Sequence, residues 1–178
     1  MAKNDAQPIK IVITGPESCG KTTLAQDLAS HYHTAYVPEY ARNFLQQTKG
    51  NYTREDLQTI AKGQIALEDN LRQKNPPLLI CDTSLEVIRV WSEWKYGHCD
   101  PFILTRARQR APHLFLLLTP DIPWQADPLR ENPGERQALF ARYQKILAEY
   151  GKPVTTITGK QPARVAAAIN AIDKIRRQ

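Results

Sequence analysis

No run of apolar residues in this 178-residue chain approaches the ~20 that a membrane-spanning helix needs. The opening residues, MAKNDAQP, lack the apolar centre of a secretory signal. Cysteine is scarce: Cys19, Cys81 and Cys99 form no C-x-x-C pair and no His/Cys cluster at zinc spacing. That excludes a disulfide framework and a structural zinc site, and it fits reduced thiols in the cytoplasm. Low-complexity segments, internal repeats and interdomain linkers are missing too. Basic charge is present but not gathered. The net charge is +6, and the densest clusters, Arg106 to Arg110 and Lys174 to Arg177, read as solvated helix faces. Aromatic residues do not interleave with them as a nucleic-acid stacking groove requires, so the sequence favours neither nucleic acid nor membrane as a partner.

What remains is globular. The chain is 42% hydrophobic and 24% charged, near the averages for folded domains. One domain is expected over residues 9–178, with residues 1–8 a flexible tail. Strands are expected at Ile9–Thr14, Thr34–Val37, Leu78–Cys81, His113–Leu118 and Val154–Thr158. The run HLFLLL has no alternation, as in a strand buried on both faces. Between the strands lie helical stretches at Gly20–His31, Tyr40–Gln47, Thr53–Gln73, Glu135–Tyr150 and Pro162–Arg177. Further helical sequence reaches about Arg110, interrupted near Gly97 and Pro101. Thr53 and Asp56 fit a capping box. The pattern is α/β: a five-stranded parallel sheet flanked by helices.

Gly15-Pro16-Glu17-Ser18-Cys19-Gly20-Lys21-Thr22 fits G-x-x-x-x-G-K-[ST]. Chance would place this pattern in about one chain in two hundred of this length. Here it also follows a strand and opens a helix, as phosphate binding requires. Gly15 and Gly20 let the backbone wrap an anion. The loop from Pro16 to Thr23 surrounds the phosphates, every residue but Pro16 offering a backbone N–H, Lys21 reaches the β- and γ-phosphates, and Thr22 offers a hydroxyl to Mg²⁺. Cys19 reads as filler. The fold class is therefore a P-loop NTPase, binding ATP or GTP.

Other features sort among nucleotide users. The strand Leu78–Cys81 runs into Asp82, a candidate for holding Mg²⁺ or touching substrate. Thr83 follows it, where motor ATPases of the AAA+ type usually carry Glu. The Asn-Lys-x-Asp signature of GTPases is missing. A small-molecule kinase fits the length. At the end of the second strand, Glu39 is a candidate base for an acceptor hydroxyl, unless it anchors substrate or pairs with Arg42. Asp82 is its rival. The segment of about 121–134 is the expected lid, with Arg130 and Arg136 as candidates to meet phosphate charge. Trp124 either stacks on a flat ligand or pins the lid. Gln64, inside an apolar stripe, either satisfies buried backbone or meets a ligand.

Together, Gly15–Thr22, Pro38-Glu39-Tyr40-Ala41-Arg42, Gly63-Gln64, Cys81-Asp82-Thr83 and the 121–130 segment resemble the ribosylnicotinamide kinase domain of the multifunctional NAD-biosynthesis regulator, one of the AAA-like P-loop kinases. The resemblance runs from about Ile9 to the last helix. It implies a nucleoside/nucleotide-kinase-like fold and transfer of the ATP γ-phosphoryl to the 5′-hydroxyl of nicotinamide riboside. It also implies a cationic ring bound near Glu39, Asp82, Tyr40 and Trp124. Arg42, Gln64 and Asp127 are further implied substrate contacts. Pro128 departs from the family, which often has Gly there. The family's adenylyltransferase domain has no counterpart in these residues. Another nucleoside or small alcohol as acceptor, or a nucleotide-dependent switch, are the competing readings.

Overall fold

The computed structural model describes residues 7–177. Of the expected 1–8 tail, residues 1–6 lie outside that range; Gln7 is exposed and Pro8 buried. The chain runs β1 (Ile9–Thr14), α1 (Lys21–His31), β2 (Tyr36–Val37), α2 (Tyr40–Gln47), α3 (Asp56–Arg72), β3 (Leu78–Asp82), α4 (Leu85–Tyr96), α5 (Pro101–Gln109), β4 (Leu114–Leu118), α6 (Arg136–Ala148), β5 (Val154–Ile157) and α7 (Gln161–Arg176). The sheet order is β2-β3-β1-β4-β5, and every pairing is parallel. No helix of the described residues is long and apolar enough to cross a membrane.

Alternation along β1 splits the core into two layers. Ile11 and Ile13 face α1 and α7, meeting Leu24, Leu28, Ala168 and Ile172. Val12 points the other way, with Leu79, Phe115 and Leu117, towards Val90 of α4 and Leu139, Ile146 and Leu147 of α6. A third cluster ties α2, α3, α4 and α5 together through Leu57, Ile60, Leu85, Ile88 and Ile103. The central strand β1 has β3 on one side and β4 on the other. Its carboxyl end is the point where the chain's order across the sheet reverses, the usual place for a ligand in open α/β folds.

Element ends follow local chemistry. β2 begins later than the expected Thr34, because the Thr34 N–H donates to Ala29 O (2.9 Å) and closes the end of α1. The regular part of α3 begins at Asp56, not Thr53. The expected box is nonetheless formed: Thr53 N donates to Asp56 Oδ2 (2.7 Å), and Asp56 N donates to Thr53 Oγ1 (3.4 Å). α5 is capped by Asp100, whose Oδ1 accepts from Phe102 N at 2.7 Å, with Pro101 at the first helical position. Lys10 of β1 is only 3% exposed, which the strand pattern gave no warning of. All three of its ammonium protons are used, by Glu68 Oε2 (2.8 Å), Ser84 Oγ (3.1 Å) and Arg110 O (2.9 Å).

Gly63 of α3 has a packing reason. A Cβ there would stand 2.3 Å from Tyr40 ring carbons. Gly63→Ala gains helix propensity but must displace that ring, and overpacking of this kind costs about 1–3 kcal/mol. Urea unfolding should show a lowered midpoint at unchanged slope. An unchanged midpoint would mean that the ring moves freely.

Candidate active site

The phosphate loop joins β1 to α1. Gly15 has φ 137° and sits where a Cβ would be 2.7 Å from Leu118 O, so no other residue fits. Gly20, at φ 84°, turns the chain into α1. Lys21 Nζ folds back over the loop and donates to Gly15 O (3.0 Å) and Pro16 O (2.7 Å). Burial opposes its charge, but Cys19 and the carboxylates of Glu39, Asp82 and Glu17 outweigh that and raise its pKa. Cys19 is fully buried and donates to Pro16 O at 2.8 Å. Burial pushes its thiol up, against the pull of Lys21, so it is an inert packing group.

At the end of β3, Asp82 Oδ2 accepts from Thr22 Oγ1 at 2.6 Å. Its other oxygen, Oδ1, is buried without a partner. The next residue, Thr83, takes φ 67° and donates its N–H to Ile13 O (3.0 Å). A left-handed threonine is strained, and such strain collects at functional sites. A hydroxyl beside an unsatisfied carboxylate oxygen at the mouth of a phosphate loop suits a hard divalent cation that keeps most of its ligands from phosphate and water. Burial raises the Asp82 pKa, opposed by the Thr22 hydrogen bond and by Lys21.

The segment after β2 divides its side chains between cleft and core. Glu39 lines the cleft with the phosphate loop. Burial pushes its carboxyl up, against the pull of Lys21. Arg42 also lines the cleft, but its partner is Asp127 (2.8 Å), not Glu39. Tyr40 turns inward onto Gly63 and joins the α2/α3 cluster. Gln64 is 2% exposed and stands behind this turn. Its Oε1 accepts from Tyr40 N (2.9 Å), and its Nε2 donates to Pro38 O (3.5 Å). Neither Tyr40 nor Gln64 lines the cleft; both hold Glu39 in place from below.

The lid, between β4 and α6, lies over the loop. Glu17 accepts from Glu131 N (3.2 Å) and Asn132 N (3.0 Å). Ser18 Oγ accepts from Gln125 N (2.8 Å) and from Arg130 (3.3 Å), and Ser18 O accepts from Arg136 (3.2 Å). Both guanidiniums lie over the Trp124 ring, Arg130 at 5.7 Å and Arg136 at 5.8 Å from its centre. It does not line the cleft, so its contacts are those of a pin within the lid. Asp127 Oδ1 accepts from Leu129 N at 2.9 Å, which shapes the lid turn.

The cleft measures about 380 Å³, within the range of small-molecule sites. Its aromatic wall comes from residues that the sequence pattern did not mark: Tyr52, Trp91 and Trp94. The Tyr52 hydroxyl accepts from Trp91 Nε1 (2.7 Å) and Lys95 Nζ (2.6 Å) and donates to Glu131 Oε2 of the lid (2.9 Å). The signal available was the three-residue spacing of Trp91 and Trp94, which puts both on one face of α4. Arg164 of α7, buried beneath the loop, was also missed.

A protein family described as an AAA domain matches residues 10–164. The chain belongs to this family. The resemblance drawn from the motifs also holds in direct comparison. The chain is 27% identical over 145 residues to the trifunctional NAD biosynthesis/regulator protein NadR of Salmonella typhimurium, covering 78% of this chain and 34% of that protein. It thus spans about a third of the length of that relative. Among solved structures, NadR in complex with NR superposes over 94% of this chain and 50% of its own, with TM-score 0.78 and 19% identity. NadR in complex with NAD and AMP-PNP gives 0.74 and 22%, over 94% of this chain and 49% of its own. Thymidylate kinase from Ehrlichia chaffeensis matches over 96% of this chain and 100% of its own, at TM-score 0.61 and 14% identity. The fold is that of the P-loop nucleoside and nucleotide kinases.

Glu17 and Ser18 hold the lid through backbone N–H groups, so their effect is readable without any ligand. In the double variant Glu17→Ala/Ser18→Ala, hydrogen exchange at the Gln125, Glu131 and Asn132 amides should quicken by roughly tenfold. Exchange unchanged at all three would show that other contacts hold the lid.

Proposed function

We propose that this chain is an ATP-dependent kinase whose acceptor is the 5′-hydroxyl of nicotinamide riboside, giving nicotinamide mononucleotide and ADP. The observation that carries the reading is the Glu39 carboxylate. It is the side chain at the end of β2 that enters the cleft without a hydrogen-bond partner among the described residues, opposite the phosphate loop. The resemblance to NadR, and the binding of NR and AMP-PNP by that protein, support the choice of acceptor and donor.

In this reading the loop amides and the N-terminus of α1 bind the β- and γ-phosphates. Lys21 leaves the carbonyls of Gly15 and Pro16 for the phosphate oxygens. Thr22 and Asp82 would hold Mg²⁺, which when bound would neutralise charge on the phosphates. The acceptor oxygen attacks the γ-phosphorus, the bond to the β–γ bridging oxygen breaks, and ADP leaves. Glu39 takes the proton released by the hydroxyl, and its raised proton affinity suits that task. Arg130 and Arg136, already donating to Ser18, lie close enough to the loop to meet charge on the transferred group. Tyr52, Trp91 and Trp94 offer a flat cationic ring an aromatic wall, and Arg42, held by Asp127 of the lid, lines the same cleft. The free thiols of Cys19, Cys81 and Cys99 suit a cytoplasmic setting.

ADP release should be measured with Mg·ATP against nicotinamide riboside, common ribo- and deoxyribonucleosides, shikimate and no acceptor. Acceleration by nicotinamide riboside, with the mononucleotide seen by mass, is expected. Acceleration by a different acceptor would keep the kinase and change the substrate; none at all would favour a nucleotide-dependent switch.

Two variants probe the chemistry. Lys21→Ala should nearly abolish turnover and leave the fold intact, as judged by circular dichroism. Glu39→Gln should lower kcat by ~10²-fold or more. In the wild type, Glu39 must be ionised to accept a proton, and its pKa lies above the usual carboxylate range. Activity should therefore fall with acidification at a higher pH than for an ordinary glutamate, and Glu39→Gln should lose that acid limb. A change in KM alone would make Glu39 an anchor for the substrate.

A further inference from the structure

Arg164 is the bulkiest of the fully buried side chains, at 1% exposure, and it lies in the first turn of α7. Its guanidinium serves four acceptors from three segments of the chain. Nε donates to Gly159 O (2.6 Å) in the turn before α7. Nη2 donates to Thr119 O (3.0 Å), just past β4, and to Asp121 Oδ1 at the root of the lid. Nη1 donates to Cys19 O in the phosphate loop. Three of the four are backbone carbonyls, so ion pairing alone does not explain the residue.

The bond to Cys19 O has a geometric consequence. A trans peptide is planar, and its C=O and N–H point in opposite directions. The carbonyl of Cys19 shares its peptide with the N–H of Gly20. Drawing that oxygen down to Arg164 aims the Gly20 N–H the other way, into the concavity of the loop. Among the described residues this N–H has no acceptor. Gly20 is held at φ 84°, where the backbone is freest to tip. We propose that Arg164 is a positioning residue for the triphosphate: by tethering the Cys19 carbonyl it keeps the Gly20 N–H pointed at the anion. The proposal rests on the nucleotide-binding part of the kinase reading. A lysine cannot replace the arginine. Its donors radiate from one atom and cannot span four acceptors spread around a planar fork.

Nucleotide affinity should be measured by calorimetry with Mg·ATP and no acceptor, alongside steady-state KM values for ATP and acceptor. Arg164→Lys should weaken ATP binding by about tenfold or more, the scale of a misaligned hydrogen bond to a charged group. The ATP KM should rise with it while the acceptor KM stays unchanged. ATP affinity within about twofold of wild type, or an equal rise in both KM values, would overturn the proposal. Asp121→Asn leaves the three carbonyl bonds and should keep ATP affinity within about threefold; a tenfold loss there would move the effect to charge and overturn the geometric account. Should Arg164→Lys not fold, the wild-type chain still decides. On addition of inorganic tripolyphosphate, the Gly20 amide should move downfield in the ¹⁵N–¹H spectrum, and an unmoved amide would overturn the proposal. Wild-type ATP binding with no acceptor turnover would sink the kinase reading while leaving this one standing.

Discussion

A backbone loop binds phosphate only if its N–H groups point inward and its carbonyls are kept out of the way. In this molecule the surrounding side chains do the second job. The Cys19 thiol takes the carbonyl of Pro16, and Lys21 bonds those of Gly15 and Pro16 until, in the proposed reaction, it turns to phosphate. Arg136 takes that of Ser18, and Arg164 that of Cys19. Leu24 N takes that of Gly20 as α1 begins. These partners come from the loop, the lid boundary and the two helices that flank β1. The loop's shape is therefore a property of the whole layer, and the rest of the site is arranged around it.

The lid shares those partners. Glu17 and Ser18, at positions the loop motif leaves free, receive lid N–H groups. Arg130 and Arg136 bond to the loop and lie over Trp124 within the lid. Tyr52 and Lys95 then bond to Glu131 and tie the lid to the acceptor wall. In the proposed kinase reading, phosphate binding and enclosure of the acceptor run through one connected set of hydrogen bonds, as a phosphoryl transfer that must exclude water requires. Just beyond β3, the buried Lys10–Glu68 pair bonds to Ser84, two residues after Asp82. Such a pair costs desolvation energy and is tolerated only with its hydrogen bonds complete, as here.

Several elements were legible in advance because their cause is local. The spacing of glycines and lysine in the phosphate loop, the carboxylate ending β3 and the Thr53–Asp56 box each depend on neighbours along the chain. Gln64 was legible as a buried amide that either satisfies backbone or meets a ligand, and the first alternative holds: it caps the Tyr40 N–H. The work of Gly63, room for the Tyr40 ring, depends on α2 lying across α3. Trp124 and Tyr40 were read as aromatic faces for the ligand by resemblance. The structure puts Tyr52, Trp91 and Trp94 in the cleft instead.

The sequence by itself determined the order of strands and helices, the place of the phosphate loop and the two carboxylates that follow β2 and β3. Apolar periodicity and glycine chemistry act over a few residues, and a linear text records them. Tertiary structure alone decided which side chains reach the cleft. Glu39 has no hydrogen-bond partner among the described residues, and the nearby Arg42 pairs instead with Asp127 of the lid. Lys10 and Arg164 were buried because partners brought in by the fold take all three donors of Lys10 and four of the five of Arg164. Those are long-range pairings, and burial of a charge is settled only when the groups that meet it have been brought together.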